Sequence, residues 1–403
     1  MRIAIDTLGC KLNQAESESL AWDFVAAGHE VVADIAEADI YILNTCSVTA
    51  TADAKARQRL RNAHLRNPNA FIVAMGCYVE REPKKLLTID GVRLAVSNMD
   101  KPQLMSLLRI PGHAGGRLSN QPQRRSPLRT RAFVKVQDGC DGACTYCIVP
   151  KVRPAQVSIP LPRVLTTIRQ RFDSGIKEVV ITGTEVGSYA SDGLGLKGLL
   201  ESVLADTEMP RIRVSSLQPL EITDDLLALW SDERMCPHFH VSIQSGSDPI
   251  LHLMKRRYSA RQFAEAVSRL RATVPDAAIT TDVIVGFPGE TEELFEESLE
   301  FCAKMQFARI HVFPYSPRPG TAASAMNGTV DETTKRRRSH QMIALGKESA
   351  ARFRQGCRGK NLFVLWEQRR PDGAWSGLTG NYLTVTTRST ANLQNTITSF
   401  TLD

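Results

Sequence analysis

Cys140-Asp-Gly-Ala-Cys144-Thr-Tyr-Cys147 is a C-x3-C-x2-C run in the frame Phe133-Val-Lys-Val-Gln-Asp-Gly-Cys140 through Cys147-Ile-Val-Pro150. The apolar stretch 132–137 before it reads as a strand, so the three thiols are presented in a loop at a strand's C-terminal end. Three thiolates held that closely can bind three irons of a 4Fe-4S cluster and leave the fourth without a protein ligand, whereas a closed structural site takes four. An open iron can bind a substrate. The alternatives are a zinc ion with a distant fourth ligand, or three buried cysteines.

Downstream of this loop, strands are expected at 178–182, 211–215, 239–243, 279–285 and 309–313. Helical stretches at 162–173, 223–230, 260–272 and 291–305 lie between them. Six strand-helix units imply a barrel or an open part of one, a partial (β/α)6 arrangement with its site at the C-terminal strand edge. Upstream, 2–6, 39–44 and 71–75 read as strands and 14–27 and 50–66 as helices, the second opening on a Thr49 cap. That alternation implies a doubly wound parallel sheet. Strand C-termini of such a sheet share one edge, and Cys10, Cys46 and Cys77 each follow a strand closely, so they can meet in space. After Gly356, β-branched and aromatic residues around the turn Pro371-Asp372-Gly373 predict a small all-β module. The expected organisation is a first domain over 1–115, a basic linker over 116–130, the barrel over 131–355 and the all-β module over 356–403, an α/β chain with a small all-β end.

At 403 residues, two to three domains are expected. Hydrophobic residues at 42% and charged residues at 23% exclude collagen-like, mucin-like and wholly disordered classes. Asp6 interrupts the N-terminus before a signal-peptide core can form, and no run approaches the ~18 apolar residues of a membrane span, so the expected setting is the cytoplasm, with no membrane partner. The net charge of +7 is local: residues 101–135 carry +8 and 335–370 carry +9, leaving −10 on the remaining 332 residues. Such patches suit a polyanion, most simply nucleic acid, or a solvated linker. Lys335-Arg-Arg-Arg338 reads as a solvated helix face. Nine cysteines in a reducing compartment point to metal or catalysis rather than disulfides. Cys236, Cys302 and Cys357 have no partners at ligand spacing. Cys302 falls on an apolar helical stripe with Phe295, Leu299 and Met305 and reads as core, and His238 and His240 read as structural.

The cysteine loop resembles that of the radical S-adenosylmethionine enzymes and, among them, the methylthiotransferases. Thr7-Leu-Gly-Cys10-Lys-Leu-Asn13, Asn44-Thr-Cys46-Ser-Val-Thr49 and Met75-Gly-Cys77 are similar to that family's N-terminal domain. Ser215-Ser-Leu-Gln-Pro219, Cys236 through Asp248, Met254-Lys-Arg-Arg-Tyr258 and Asp282 through Thr291 are similar to its barrel motifs, and the last 45 or so residues resemble its tRNA-binding TRAM module. The resemblance implies two 4Fe-4S clusters, one on Cys140, Cys144 and Cys147 and an auxiliary one on Cys10, Cys46 and Cys77, in separate domains. It also implies S-adenosylmethionine as cofactor, with Tyr146, Gly183, Thr184, Glu185, Ser216, Gln244 and Gly286 as candidate contacts. A tRNA and a flavodoxin-like or ferredoxin-like electron donor are the implied partners.

Val48-Thr-Ala-Thr-Ala-Asp-Ala-Lys-Ala-Arg-Gln58 looks closest to the branch that methylthiolates C2 of N6-threonylcarbamoyladenosine at tRNA position 37. Sister branches take isopentenyladenosine or a ribosomal protein, and a zinc-stabilised RNA-binding protein without redox chemistry is the alternative from another class. The C2–H of adenine is neither acidic nor electrophilically activated, so a radical suits it where acid-base catalysis does not. A threonylcarbamoyl carboxylate needs a cation if buried, and Lys11, Lys55, Arg57 and Arg153 are the candidates. Two departures stand out: Lys151-Val-Arg153-Pro154 where the family has Tyr-Ala-Arg-Gly, and Leu378-Thr-Gly-Asn-Tyr382 where it has His-Thr-Glu-Asn-Tyr.

Overall fold

Apolar side chains on both faces of the first strands, with Ile3, Ile42, Leu43, Ile72 and Val73 fully buried, dictate a parallel sheet covered on two sides. In the computed structural model, which describes residues 1–109 and 130–403, β1 (Arg2–Thr7), β2 (Glu30–Val32), β3 (Ile40–Thr45), β4 (Phe71–Gly76) and β5 (Val92–Val96) form that sheet in the order β2-β1-β3-β4-β5. Helices α1 (Lys11–Ala26) and α2 (Ala50–Arg66) make two of its crossovers, and Thr49 Oγ1 accepts from Ala52 N at 3.1 Å as the cap of α2.

The described residues fall into two units. One gathers 1–109, 137–157 and 316–324; the other holds 130–136, 158–315 and 325–403. The cysteine loop and a short segment after the last barrel strand therefore pack with the N-terminal sheet. Short strands β7 (Gln137–Asp138) and β8 (Val157–Ser158) flank the loop's region, after β6 (Arg131–Lys135). The linker expected at 116–130 lies, up to residue 129, outside the described residues.

In the second unit, β6, β9 (Glu178–Thr182) and β10 (Arg211–Val214) form one parallel arc. A second arc comprises β11 (Ser216–Leu217), β12 (His238–Val241), β13 (Ala278–Val285) and β14 (Arg309–Pro314), in that order. The strands run in sequence order, as successive strand-helix units require. Val134, Val179, Ile181, Ile212, Phe239, Val241, Ile279 and Val283 face the helices in one continuous core, to which Cys302 also belongs at 0% exposure. Alternation then turns Glu178, Arg211, Arg213, His238, His240 and Asp282 to the opposite face.

The helix Glu332–Gly356 corrects the expectation for Lys335-Arg-Arg-Arg338. Lys335 and Arg338 are each 3% exposed. Arg338 pairs with Glu290 at 2.8 Å and Glu292 at 3.0 Å, while Lys335 pairs with Glu332 at 2.8 Å and lies over the Tyr315 ring. Positions i and i+3 of this helix face inward, so only part of the run meets solvent. The C-terminal module is an antiparallel sheet, β15 (Asn361–Arg369), β16 (Trp375–Thr379), β17 (Thr384–Thr387) and β18 (Ile397–Thr401), ordered β17-β16-β15-β18 around Val364, Trp366, Trp375 and Val385.

Candidate iron-sulfur and cofactor sites

The chain turns sharply after β1, β3 and β4, and each turn delivers a cysteine to the same sheet edge. Gly9 sits at φ +101°, a conformation L-residues avoid, and a Cβ there would lie 2.5 Å from Cys46 Cβ. Cys10 then opens α1 and Cys77 opens a short helix, α3 (Cys77–Arg81). The thiols of Cys10, Cys46 and Cys77 are close enough to act on one another, and burial pushes Cys46 up to about 12 with both neighbours adding to it. Three sulfurs gathered this closely, with Cys10 and Cys46 raised by burial, are a poor arrangement of free thiols and a good one for a cation that deprotonates them. Asn98 Nδ2 donates to Cys77 Sγ at 3.6 Å.

Cys140, Cys144 and Cys147 are each half-buried. Their loop is held by Gly142 N–H on Cys140 Sγ at 3.3 Å, Cys147 N–H on Cys144 O at 3.1 Å and Ala323 N–H on Thr145 O at 2.8 Å. The two triads were expected in separate domains, but both lie in the first unit. Cys77 packs in one buried cluster with Ile148 and Val152, the residues just beyond Cys147, and Asn98 also donates to Val152 O. Soft thiolates of this kind are suited to iron.

The four candidate substrate cations part company. Arg153 is 3% exposed at its side chain, bonded to Glu16 and Asn13 and 3.3 Å from Asp138. Pro154 explains its direction: the residue before proline is driven extended, and Arg153 at φ −122° and ψ 155° leaves the short helix Val149–Val152 for the auxiliary triad. Its charge acts on Cys10 and Cys77. Arg57 donates to the Tyr78 hydroxyl at 2.6 Å, Lys11 is half-buried at the start of α1, and Lys55 is exposed on α2.

Sequence reasoning missed the partners of Arg153. Glu16 also binds Lys101, which reaches Asn44 Oδ1 at 3.0 Å, and burial lowers the Lys101 pKa. The available signal was position, since Lys101 follows the end of β5 closely. Also missed was Asp53, on which Arg81 at 2.9 Å and Arg318 at 2.5 Å converge beside Ser47.

In the second unit, the candidate cofactor contacts occupy strand ends as expected of their positions. Gly183, Thr184 and Glu185 follow β9, and Gln218 Nε2 donates to Glu185 Oε1. Burial, with Glu185 nearby, pushes Glu221 up to about 7, and Arg256 lies close enough to oppose it. Ser216 opens β11. Gln244 takes φ +69° and its N–H bonds Asp282 O at 2.9 Å; Gly286, at φ +72°, donates to Glu290 Oε2 at 2.5 Å. A non-glycine residue held left-handed is strained, and the Asp282 carbonyl helps to hold Gln244 there. Tyr146, in the cysteine loop of the first unit, is half-buried.

At the other end of these strands, Leu378-Thr-Gly-Asn-Tyr382 is engaged with the barrel. Arg211 donates to Leu378 O at 2.9 Å, Arg213 to Gly380 O at 2.8 Å, and Tyr382 stacks on His238 with centroids 4.4 Å apart. This turn, which departs from the family sequence, is occupied by protein contacts within its own unit.

Residues 134–302 match the radical SAM superfamily and residues 2–97 match uncharacterized protein family UPF0004. The parallel arcs carry the same fold as the radical S-adenosylmethionine methyltransferase TsrM from Kitasatospora setae, solved with cobalamin and a 4Fe-4S cluster, at TM-score 0.59 and 15% identity over 80% of this chain and 77% of that one. Fold and cysteine loop together define a radical S-adenosylmethionine protein. Threonylcarbamoyladenosine tRNA methylthiotransferase MtaB of Bacillus subtilis is 34% identical over 97% of this chain and 91% of its own length. The tRNA-2-methylthio-N(6)-dimethylallyladenosine synthase of Endomicrobium trichonymphae is 35% identical over 84% of this chain and 82% of its own. The chain belongs to the radical SAM tRNA methylthiotransferase family, among whose members several named MtaB match it over nine-tenths or more of its length. Among the described residues, no helix is long and apolar enough to cross a membrane.

Proposed function

We propose that this protein transfers a methylthio group to C2 of N6-threonylcarbamoyladenosine at position 37 of tRNA, in the cytoplasm, using S-adenosylmethionine, two 4Fe-4S clusters and electrons from a flavodoxin-like or ferredoxin-like donor. The observation that carries this reading is the presence of two separate cysteine triads in one unit, with Cys77 packed against the residues that follow Cys147. When bound, these groups supply a deoxyadenosyl radical from the cluster on Cys140, Cys144 and Cys147 and the methylthio sulfur from the one on Cys10, Cys46 and Cys77.

The protein's own residues hold, orient and neutralise. Arg153 and Lys101 set positive charge beside the auxiliary thiolates while Glu16 and Asp138 fix where that charge sits. Glu185 is suited to an ammonium group, a charge-assisted bond at a strand end. Because Arg153 is already committed to two carboxylates, Lys11, Lys55 and Arg57 are the better candidates for the threonylcarbamoyl carboxylate. The basic C-terminal module over 356–403 is assigned the role of a TRAM domain gripping phosphate through surface cations, with the 378–382 turn reserved for anchoring. The domain limits 1–115, 131–355 and 356–403 remain the proposed functional divisions, with the basic linker at 116–130 between the first two.

Mass spectrometry of tRNA nucleosides from a deletion strain tests the substrate. Loss of 2-methylthio-N6-threonylcarbamoyladenosine with accumulation of its unthiolated precursor is expected. Loss of the isopentenyl derivative instead would move the protein to the sister activity, and an isolated protein with zinc and no sulfide would remove the redox reading.

A further inference from the structure

Three side chains on the inner face of the four-stranded arc have no part in the sites above. His240 of β12, Asp282 of β13 and His311 of β14 bring one donor atom each to within 4.8 Å of one another. Register explains the meeting: Asp282 pairs directly with His311, and His240 pairs with Thr280, the previous residue on the same face of β13. His240 Nε2 lies 3.2 Å from Asp282 Oδ2 and 3.1 Å from Ser242 Oγ, and its Nδ1 lies 2.9 Å from Thr280 Oγ1.

Thr280 Oγ1 can accept from His240 Nδ1–H, since acceptors for its own proton lie 3.4 Å away at His238 Nε2 and 3.5 Å away at Phe239 O. In that tautomer His240 Nε2 turns a lone pair toward Asp282 Oδ2. The Ser242 hydroxyl, 3.1 Å from that nitrogen and 3.3 Å from the same carboxylate oxygen, can donate to only one of them, so a cation between the two would relieve their repulsion, and a histidine whose far nitrogen donates to a protein oxygen is the arrangement found at metal ligands. Two imidazoles and one carboxylate with positions left open suit a borderline first-row divalent ion.

We propose that His240, Asp282 and His311 bind one divalent cation of the Mn2+, Fe2+ or Zn2+ class, separate from both iron-sulfur sites. Bonds of about 2.1 Å place donors roughly 3.0 to 3.4 Å apart, so the 3.2 Å pair is already spaced for it. His311, half-buried on the edge strand with its donor atom within 4.8 Å of the other two, closes the remaining gap by a movement of its ring. The ion would tie three strands together just before Gln244 and Gly286, the ends where cofactor contacts are proposed, and the site stands whichever tRNA is the substrate.

The test uses full-length protein with both clusters oxidised and therefore diamagnetic, titrated with Mn2+ and followed by electron paramagnetic resonance. One Mn2+ bound per chain and displaced by Zn2+ is expected, with Asp282→Asn and His311→Ala each weakening it by more than about tenfold while iron and sulfide content stay unchanged. His311→Ala removes an edge-strand side chain and serves if Asp282→Asn does not fold. Absence of stoichiometric Mn2+ and Zn2+ binding in the unaltered protein, or equal binding in His311→Ala, overturns the site.

Discussion

Replacing Glu178 by Gln removes one charge from the most deeply buried ion cluster of the second unit without changing side-chain shape. Glu178 and Arg213 are fully buried at the side chain and Arg211 is 7% exposed; Arg213 Nε and Arg211 Nη2 each stand 2.8 Å from the carboxylate. Burial alone would raise the pKa of Glu178, but Arg213 and then Arg211 outweigh it and hold it at about 2, against an ordinary 4.5. That difference corresponds to roughly 3 kcal/mol of stabilisation, within the range of ~3–5 kcal/mol for stranding buried charges by deleting one partner. The variant should therefore unfold in urea with a free energy lower by about 3 kcal/mol. Because Arg211 and Arg213 also hold the 378–380 carbonyls, backbone amides of that turn should exchange faster. A carboxyl with a depressed folded pKa stabilises fully above its unfolded pKa and loses that contribution as pH falls toward 2. The gap between the two proteins should accordingly stay constant from pH 8 to pH 5. Equal midpoints with equal slopes, or a gap that closes within that interval, would refute the assignment of this energy to the Glu178 charge.

Glu221 gives the opposite sign. With a folded pKa near 7 it holds a proton the unfolded chain has released, so it erodes stability as pH rises from about 4.5 to 7, and Glu221→Gln should be the more stable protein at pH 8, by up to about 3 kcal/mol, and no different at pH 4. Urea titrations at the two pH values decide this. Replacing Cys140, Cys144 and Cys147 by Ala should abolish reductive cleavage of S-adenosylmethionine while about half the iron remains, and replacing Cys10, Cys46 and Cys77 should spare cleavage and stop methylthiolation; complete iron loss from either folded variant would sink the two-site reading. Because Arg153 lies between Glu16 and Asp138, Arg153→Ala should destabilise the protein by about 3 kcal/mol and lower auxiliary iron, and retention of full iron with normal stability would return it to the substrate candidates. Affinity for tRNA should fall steeply with salt as phosphate contacts release counterions, and a flat dependence in filter binding would mean the basic stretches are merely solvated.

Local sequence determined much of this protein because the signals concerned are themselves local. Apolar runs bounded by turn residues located β1, β3, β4 and the barrel strands, and the spacing within Cys140–Cys147 announced its chemistry from eight residues. The turns that follow β1, β3 and β4 placed Cys10, Cys46 and Cys77 at one edge, since a parallel sheet leaves no other geometry. Short or interrupted elements were not legible: Glu30–Val32 is three residues at an edge, and Gly377 breaks the pattern of Trp375–Thr379. Only the tertiary structure decided where the charges go. Nothing near Arg153 in the chain identifies Glu16, 137 positions away, and nothing near Lys335 and Arg338 tells that those two members of a basic run are buried while Arg336 is exposed. Periodicity reports which face of an element avoids water, a property of each segment alone. An ion pair in a low-dielectric interior exists because two distant segments arrive together and neither charge could stay buried without the other, a constraint that is expressed only once the chain has folded.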